Sequence, residues 1–204
     1  VEEDPRIEKL VSILPGANCG ACGLSGCQAF AEGILSGKAR IDGCRAGGEE
    51  TISQISKVMG IHSDGSFEKY IAVALCHGGR NEANLSAIAQ GVKTCEMAKN
   101  LKLNPWVCEY TCLGYGDCVR ACPFGAIIIN EDSLPVIDPI LCRGCSICVE
   151  RCPQKILELL HNKTRVLCFC KSQDKCSKVR QACKVGCISC GLCEKKCPEN
   201  AIEM

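Results

Sequence analysis

Two cysteine runs that end in proline constrain this chain more than any other feature of its sequence. The runs are Cys142, Cys145, Cys148 and Cys152 before Pro153, and Cys187, Cys190, Cys193 and Cys197 before Pro198. Bacterial ferredoxins use this spacing, C-x2-C-x2-C-x3-C-P, to hold [4Fe–4S] clusters, and the fourth thiolate crosses to a neighbouring cluster. Zinc also accepts four thiolates, but such closely spaced triplets ending in C-P argue against it. Each run therefore predicts ligands of an iron–sulfur cluster.

A third run has wider spacing and predicts the partner of the first. It consists of Cys108, Cys112, Cys118 and Cys122 before Pro123. In paired ferredoxin clusters the last cysteine of each run binds the cluster of the other run. We therefore expect Cys122 to join the cluster of the run that starts at Cys142. In exchange, Cys152 should complete the cluster held mainly by the turn from Cys108 to Cys118.

A fourth set lies near the amino terminus and predicts an isolated single cluster. Its members are Cys19, Cys22, Cys27 and Cys44. Small residues crowd the stretch PGANCGACGLSGC, which allows backbone amides to approach cluster sulfurs closely. At four cysteines a cluster, the motifs imply at least three [4Fe–4S] clusters, and four or five are expected.

An internal repeat indicates that one ligand of the third run is missing. The stretch IAVALC…CEYTCLGYGDCVRACP resembles VLCFC…CKVGCISCGLCEKKCP, and Tyr115 stands where the second copy has Cys190. The first copy therefore needs a ligand from elsewhere. Cys76 and Cys95 are either that replacement or ordinary buried cysteines, and the second interpretation is preferred.

Other potential ligands have no fixed role in the sequence pattern. The remaining cysteines of the second copy are Cys168, Cys170, Cys176 and Cys183. They could form a cluster together with Cys197, or they could be buried or spare thiols. The three histidines are His62, His77 and His161. With cysteine in such excess, none of them is needed as a ligand.

The composition indicates that bound metal contributes much of the cohesion. There are 22 cysteines among 204 residues, one tryptophan and only 4% aromatic residues. Large apolar side chains are scarce, and metal binding can supply folding free energy instead. Cysteine triplets make poor disulfide partners, and the opening VEEDPRIEKL has no signal-peptide pattern. We therefore expect a reducing, cytosolic setting.

The sequence pattern predicts an α+β fold, with a small helical [4Fe–4S] module followed by ferredoxin-like modules. Helices are expected over residues 5–14, 27–35 and 49–58 and around Cys95, because apolar residues recur there at helical spacing or follow start signals. The apolar run ending at Cys76 predicts a buried strand, and residues 126–129 and 134–137 predict a hairpin. The expected modules are a helical single-cluster module (1–60), a connecting module (61–107), a two-cluster module (108–160) and a partial ferredoxin-like module (161–204).

Several function classes are disfavoured by what the sequence lacks. The formal net charge is +1 and the basic residues form no stripe, so a nucleic-acid partner is not expected. Walker loops, nucleophile elbows and the G-x-G-x-x-G fingerprint are also missing, so we expect neither a direct nucleotide site nor a catalytic residue. No apolar stretch reaches the roughly 18 residues that a membrane span needs.

At PGANCGACGLSGCQAFAEGI and CEYTCLGYGDCVRACPFGAI the sequence resembles the B subunit of the Rnf complex. That membrane assembly passes electrons between ferredoxin and NAD while it translocates sodium ions or protons, and the likeness covers nearly the whole chain. The resemblance implies an electron relay at the cytoplasmic side of the membrane, with soluble ferredoxin and other subunits of the complex as partners. The family's amino-terminal membrane helix and last half-ferredoxin are absent, so we expect a soluble fragment.

A free electron carrier is the alternative to a subunit of a membrane complex. Corrinoid iron–sulfur proteins carry a four-cysteine module similar to the amino-terminal one. A soluble polyferredoxin, or a reductive activator for a corrinoid or dehydrogenase system, would therefore share part of this sequence pattern. A zinc-stabilised interaction module is a third interpretation, and it predicts a colourless protein.

Overall fold

The structure is a computed structural model that describes residues 4–61, 67–86 and 90–203. Eight short helices and four strands lie in these ranges. In chain order they are α1 (Arg6–Ile13), α2 (Cys27–Leu35), α3 (Gly48–Met59), β1 (Tyr70–Ala74), α4 (Cys95–Asn100), α5 (Asp117–Ala121), β2 (Ile127–Ile129), β3 (Pro135–Ile137), α6 (Ile147–Glu150), β4 (Leu157–His161), α7 (Cys176–Ala182) and α8 (Leu192–Lys196). Short helices mixed with small sheets confirm the α+β class. None of the helices described is long and apolar enough to cross a membrane.

The amino-terminal unit consists of α1, α2 and α3 around a small apolar core. Asp4 opens α1, because its carboxylate accepts the backbone N–H of Arg6 at 2.9 Å. α1 packs against both α2 and α3. Leu10, Phe30 and Ile55 are at most 2% exposed at the centre of these contacts. The three helices predicted for this unit are confirmed, with bounds that differ from the prediction by about one residue.

The ferredoxin-like part contains two separate antiparallel pairs of strands. β2 and β3 form the predicted hairpin, in which Ile127 pairs with Ile137, and the Asn130 side chain closes the turn by accepting the backbone N–H of Leu134. β1 pairs with β4, with Tyr70 opposite His161 at one end. β1 belongs to the segment predicted as connecting, so its pairing joins that segment to the ferredoxin-like one. The four-part division of the chain stays a prediction.

Sulfur atoms form part of the core of the ferredoxin-like part. Ile127, Ile156 and Leu157 are at most 3% exposed. The same buried cluster includes four cysteines, namely Cys112, Cys118, Cys142 and Cys148. Aromatic side chains make up only 4% of this sequence, and the cysteines occupy interior positions that large apolar residues usually fill.

The carboxy-terminal segment is attached to the first copy of the repeat through its backbone. Ala83 forms an isolated antiparallel bridge with Cys183, and the backbone N–H of Asn84 donates to the carbonyl of Ala182 at 2.9 Å. α7 buries Val179 and Ala182, whereas no residue of α8 is buried. The last helix therefore lies on the surface of the part of the chain that is described.

Candidate iron–sulfur sites

The three ferredoxin-type loops share one backbone conformation. In each loop, the residues two and four positions after the starting cysteine (Cys112, Cys142 or Cys187) have a positive φ. The residue three positions after the closing cysteine has a positive φ as well. These residues are Gly114, Gly116 and Gly125 in the first loop, Gly144, Ser146 and Lys155 in the second, and Ser189, Gly191 and Asn200 in the third. Single left-handed residues reverse the chain direction locally. The internal repeat of the sequence is therefore also a repeat of backbone geometry.

The second ferredoxin site is a pocket that combines thiols from two loops. We use this name for the set Cys122, Cys142, Cys145 and Cys148. The backbone N–H of Ala126 donates to the sulfur of Cys122, and that of Ala72 donates to the sulfur of Cys142, each at 3.4 Å. N–H donors stabilise sulfur that carries negative charge. The structure thus brings together the thiols for which the sequence predicted an exchange of ligands.

Burial makes this site unsuitable for free thiolates and suitable for a metal cluster. Cys142, Cys145 and Cys148 are each at most 8% exposed. Burial raises the pKa of Cys148 to about 12, and the neighbouring thiols of Cys142 and Cys145 add to the shift. Desolvation and like charges both disfavour the ionised form. A bound iron–sulfur cluster supplies the positive charge that four adjacent thiolates need, so an all-thiol donor set fits this cofactor.

Gly144 allows the loop of the second ferredoxin site to lie against β1. Its φ is +63°, and a Cβ added there would come within 2.6 Å of the carbonyl oxygen of Tyr70. Glycine is the residue that tolerates both the left-handed conformation and the close approach. This contact holds the loop beside the strand whose Ala72 N–H reaches Cys142.

The first ferredoxin site combines the thiols of Cys95, Cys112, Cys118 and Cys152 in another pocket. Cys95 is the first residue of α4, and Asp117 is the first residue of α5. The Asp117 carboxylate accepts the backbone N–H groups of Cys95 and Glu96, each at 3.0 Å. It therefore fixes the start of α4 against the cysteine loop. The pKa of Cys118 is raised to about 11, mainly by burial and in part by the adjacent thiols of Cys95 and Cys152.

The thiols of this pocket differ in two respects from the grouping that the sequence suggested. Cys95, for which a purely structural role was preferred, lies with the other three thiols where Tyr115 leaves a position without a cysteine. Cys108 was expected to share the cluster of Cys112 and Cys118, but it lines a different pocket together with Cys76. The reason is the contact between α4 and Asp117, which joins residues 22 positions apart. Local cysteine spacing does not encode such a contact.

The N-terminal site gathers the four cysteines predicted for it, Cys19, Cys22, Cys27 and Cys44, around the core of the helical unit. Burial raises the pKa of Cys44, and the nearby thiols of Cys27, Cys19 and Cys22 add to the shift. The Asn18 side chain accepts the backbone N–H of Cys27 at 2.8 Å. Gly26 leaves room for this contact, because a Cβ there would meet the same Asn18 oxygen at 2.8 Å.

These three sites are neighbours in space and form a row. Cys145 of the second ferredoxin site belongs to the buried core of the helical unit. The pKa of Cys145 is raised mainly by burial. The Cys19 thiol of the N-terminal site is close enough to add to this shift. On the other side, Cys118 of the first ferredoxin site is among the thiols that raise the pKa of buried Cys148. The second ferredoxin site therefore lies between the other two.

The C-terminal run, Cys187, Cys190, Cys193 and Cys197, forms a similar loop near the surface. Cys190 and Cys193 are exposed. The backbone N–H of Ala201 donates to the sulfur of Cys197 at 3.3 Å, as Ala126 does to Cys122. The loop geometry of a ferredoxin site is therefore present here, but the described part of the chain gives it little cover.

The four remaining cysteines of the second copy do not form the group with Cys197 that the sequence suggested as one option. Cys170 and Cys183 line the pocket that also contains Cys76 and Cys108. Burial raises the pKa of Cys168, whose thiol donates to the carbonyl of Cys170 at 3.8 Å. Cys176 is the first residue of α7. Packing against the first copy instead places Cys170 and Cys183 beside Cys76 and Cys108.

The histidines and the spacing of the thiols bear on the type of metal. The His77 ring stacks on Phe169 at 4.1 Å, and the His161 ring meets Tyr70 edge-on at 5.6 Å; His62 lies outside the described residues. Within the described ranges, no three His, Cys, Asp or Glu side chains converge closely enough to hold a single ion. The thiols stand instead around cavities, the arrangement that a four-iron cluster requires and a zinc ion with Zn–S distances of about 2.3 Å does not.

Comparison with protein families agrees with these sites. Three family models match the chain: an Fe-S cluster family over residues 14–46, a 4Fe-4S dicluster domain over residues 107–157 and a 4Fe-4S binding domain over residues 186–203. Together with the loops and thiol pockets, they define a ferredoxin-type iron–sulfur protein that binds several [4Fe–4S] clusters.

Curated relatives identify the family more closely. The chain is 42% identical over 187 residues to the B subunit of the Na(+)-translocating ferredoxin:NAD(+) oxidoreductase complex of Acetobacterium woodii, with 92% of this chain and 56% of that protein covered. It is 39% identical to the B subunit of the ion-translocating oxidoreductase complex of Methanosarcina acetivorans, over 92% of this chain and 71% of that protein. This chain belongs to the family of B subunits of ion-translocating oxidoreductase complexes. It spans little more than half the length of the Acetobacterium protein.

Proposed function

We propose that this chain relays electrons through [4Fe–4S] clusters, as part of the B subunit of a membrane-bound, ion-translocating ferredoxin:NAD oxidoreductase complex. The observation that carries the proposal is the row of thiol sites, in which the second ferredoxin site shares one buried cluster with the N-terminal site and another with the first ferredoxin site. Electron hopping requires such close neighbours. Family membership supports the same role, and we assign no substrate chemistry to the chain itself.

We infer four-cysteine ligand sets for three of the clusters. The N-terminal site would use Cys19, Cys22, Cys27 and Cys44, the second ferredoxin site Cys122, Cys142, Cys145 and Cys148, and the first ferredoxin site Cys95, Cys112, Cys118 and Cys152. The C-terminal run, Cys187, Cys190, Cys193 and Cys197, is proposed to bind cluster iron as well. Each bound cluster supplies the ability to accept and return one electron.

The surrounding residues would hold the clusters and adjust how readily they are reduced. Backbone N–H groups of Ala72 and Ala126 donate to ligand sulfurs in the second ferredoxin site. Such donors favour the more negative, reduced state. Burial at that site excludes water, and loss of water disfavours the more negative, reduced state. Cys122 and Cys152 tie the two loops together, because each thiol lies in the pocket of the other loop.

We propose soluble reduced ferredoxin as the electron donor and other subunits of the complex as the acceptors, on the cytoplasmic side of the membrane. The names of the relatives from Acetobacterium woodii and Clostridium ljungdahlii support this choice, since both describe ferredoxin:NAD(+) oxidoreductase complexes. The first is described as translocating sodium ions and the second protons. Because related complexes translocate different ions, we propose that the ion is determined by the complete complex and not by this chain.

Anaerobic mixing of the iron-loaded chain with reduced ferredoxin tests the relay. We expect the visible absorbance of the chain to bleach to the level that dithionite produces. Bleaching by dithionite but not by reduced ferredoxin would contradict the choice of donor. Purification of the full-length native protein tests the assembly, because a relay that belongs to such a complex should copurify with membrane subunits. Recovery as a free protein would favour a soluble polyferredoxin or reductive activator instead.

A further inference from the structure

One further pocket contains four thiols that no ligand set above uses. Cys76 and Cys108 come from the first copy of the internal repeat, and Cys170 and Cys183 come from the second. In the repeat, Cys76 stands at the position of Cys170 and Cys108 at the position of Cys183. The pocket therefore presents two pairs of equivalent cysteines. Three of the four lie outside the regions that the family models match.

The backbone of Gly78 lies directly against two of these sulfurs. A Cβ at Gly78 would come within 2.9 Å of the Cys183 sulfur and 3.9 Å of the Cys76 sulfur. Absence of a side chain here keeps the space between the thiols open. Two cysteines more than a hundred positions apart thus face the same small volume. This convergence is unlike the packing of isolated spare thiols.

Thr111 gives the pocket a polar group that is shielded from water. The residue is 2% exposed, and its hydroxyl donates to the Gly78 carbonyl at 3.0 Å. The same hydroxyl oxygen lies 3.5 Å from the Cys76 sulfur. With its one proton given to the carbonyl, the hydroxyl oxygen accepts from the Cys76 thiol. Hydroxyl protons rotate, so the same group would donate to the sulfur once Cys76 is a thiolate.

Backbone hydrogen bonds fix the two halves of the pocket relative to each other. Besides the bridge between Ala83 and Cys183, the N–H of Lys184 donates to the carbonyl of Glu82 at 3.0 Å. The Lys184 ammonium group also donates to the carbonyl of Asn81 at 2.8 Å. These contacts hold Cys183 in place through the main chain. Preorganised ligands lose less conformational entropy when they bind a metal cluster.

The pocket lies between the first ferredoxin site and the C-terminal run. On one side, Thr111 is followed directly by Cys112 of the first ferredoxin site. On the other side, Val185 and Gly186 line the pocket and lead directly into Cys187 of the C-terminal run. Without a redox group here, the C-terminal run would be connected to the row of sites only through protein.

We propose that Cys76, Cys108, Cys170 and Cys183 bind an additional [4Fe–4S] cluster that bridges the two copies of the repeat. The four thiols lose their protons when they bind the cluster. The cluster is then reduced by one electron from a neighbouring cluster, and it is oxidised again when it gives that electron to the next one. The electron-carrying role of this cluster rests on the proposed relay, whereas its binding by the four cysteines does not. Cluster binding itself is measured without any electron partner, so the two proposals can fail separately.

Alanine variants of cysteines from different copies test whether one cluster joins them. We expect Cys76→Ala, Cys170→Ala and the double variant each to lack the same cluster, or about four iron and four sulfide per chain. Native mass spectrometry after anaerobic reconstitution gives this count. Cys176→Ala is the matched control and should retain every cluster, since Cys176 is partly exposed and lines none of the thiol pockets. Full cluster content in both single variants, or loss of about eight iron in the double variant, would overturn the proposal.

Alkylation of the loaded wild-type protein provides a test that needs no variant. Cys170 and Cys176 are both partly exposed, so a labelling reagent should reach free thiols at both positions. We expect Cys176 to be labelled while Cys170 stays unlabelled until iron is chelated, as peptide mass spectrometry would detect. Equal labelling of the two in the loaded protein would contradict a ligand at Cys170, even if the variants fail to fold.

Discussion

The runs beginning at Cys142 and at Cys187 have the same cysteine spacing but very different surroundings. In the first, Cys142, Cys145 and Cys148 are at most 8% exposed. In the second, Cys190 and Cys193 are exposed, and α8, which follows the loop, buries no residue. The backbone is nevertheless alike, because both loops have left-handed residues at the same positions.

This contrast separates the role of the motif from the role of packing. The left-handed residues that shape the loop lie within the run or just after it. Burial of the first loop comes from other parts of the chain, including the β1 strand at Ala72 and the helical unit at Cys145. Solvent access is one of the factors that set the reduction potential of a cluster. Two identical motifs can therefore supply different steps of one relay.

The largest expected difference concerns stability. We expect Cys145→Ala to lose its cluster and to lower the unfolding midpoint by more than about 10 °C, because bound metal contributes several kcal/mol or more to small metal-dependent folds. Cys190→Ala should also lose iron, yet shift the midpoint by less than about 3 °C, since no core depends on that loop. Thermal unfolding under anaerobic conditions measures both. Equal shifts would show that exposure does not separate the two runs.

Variants that each remove one cluster test which cysteines belong with the loop that starts at Cys112. We expect Cys95→Ala and Cys152→Ala to remove the same cluster, about four iron per chain, since both thiols line the first ferredoxin site. Cys108→Ala should leave that cluster intact. Electron paramagnetic resonance of the reduced protein identifies which signal disappears. If Cys108→Ala abolishes the signal that Cys95→Ala abolishes, the grouping of ligands given above is wrong.

A substitution at equivalent loop positions should have a smaller effect. Gly144 and Ser189 both occupy the second position after the first cysteine, and both have a positive φ. Gly144→Ser should cost about 1–3 kcal/mol, because left-handed strain adds to the contact with the Tyr70 carbonyl. Ser189→Gly is the matched control and should change stability by less than about 1 kcal/mol. Chemical denaturation of the loaded variants measures both, and a neutral Gly144→Ser would contradict the close packing of β1.

Chelation rates should show the smallest difference. An iron chelator should remove the cluster of the C-terminal run at least about tenfold faster than that of the second ferredoxin site, the ratio that ~1.4 kcal/mol of local opening free energy produces. Mass spectrometry during chelation follows the order of loss. Simultaneous loss from both sites would indicate that the two loops open together, and the contrast between them would then apply to the static fold alone.

Local signals in the sequence predicted much of the secondary structure. The helices α1, α2 and α3 and the hairpin of β2 and β3 follow from apolar periodicity and turn residues. Pairing of β1 with β4 was not predicted, although β1 itself was. Tyr70 and His161 pair across almost the whole ferredoxin-like part. Propensity and spacing report on neighbours in sequence, and they carry little information about partners so far apart.

The same distinction applies to the candidate sites. The group that begins at Cys19 followed directly from the sequence. For the run that begins at Cys142, the fourth thiol, Cys122, followed from the expected exchange of ligands. Cys95 and Cys108 were assigned differently because their neighbours in space are distant in sequence. The signal that pointed to Cys95 was Tyr115, a gap in the repeat, but the gap alone did not identify the residue that fills it. The hydrogen bonds of Asp117 place Cys95 beside that loop.

The sequence by itself determined that thiolates would hold iron–sulfur clusters in loops of repeated shape, because cysteine spacing and left-handed residues act within a few positions. Only the tertiary structure decided which thiols share a pocket, which loop is buried and which sites are neighbours. These properties depend on contacts such as that between Gly78 and the sulfurs of Cys76 and Cys183. Folding must bring such residues together, since each cluster needs four thiolates around one centre and the chain supplies them from distant positions.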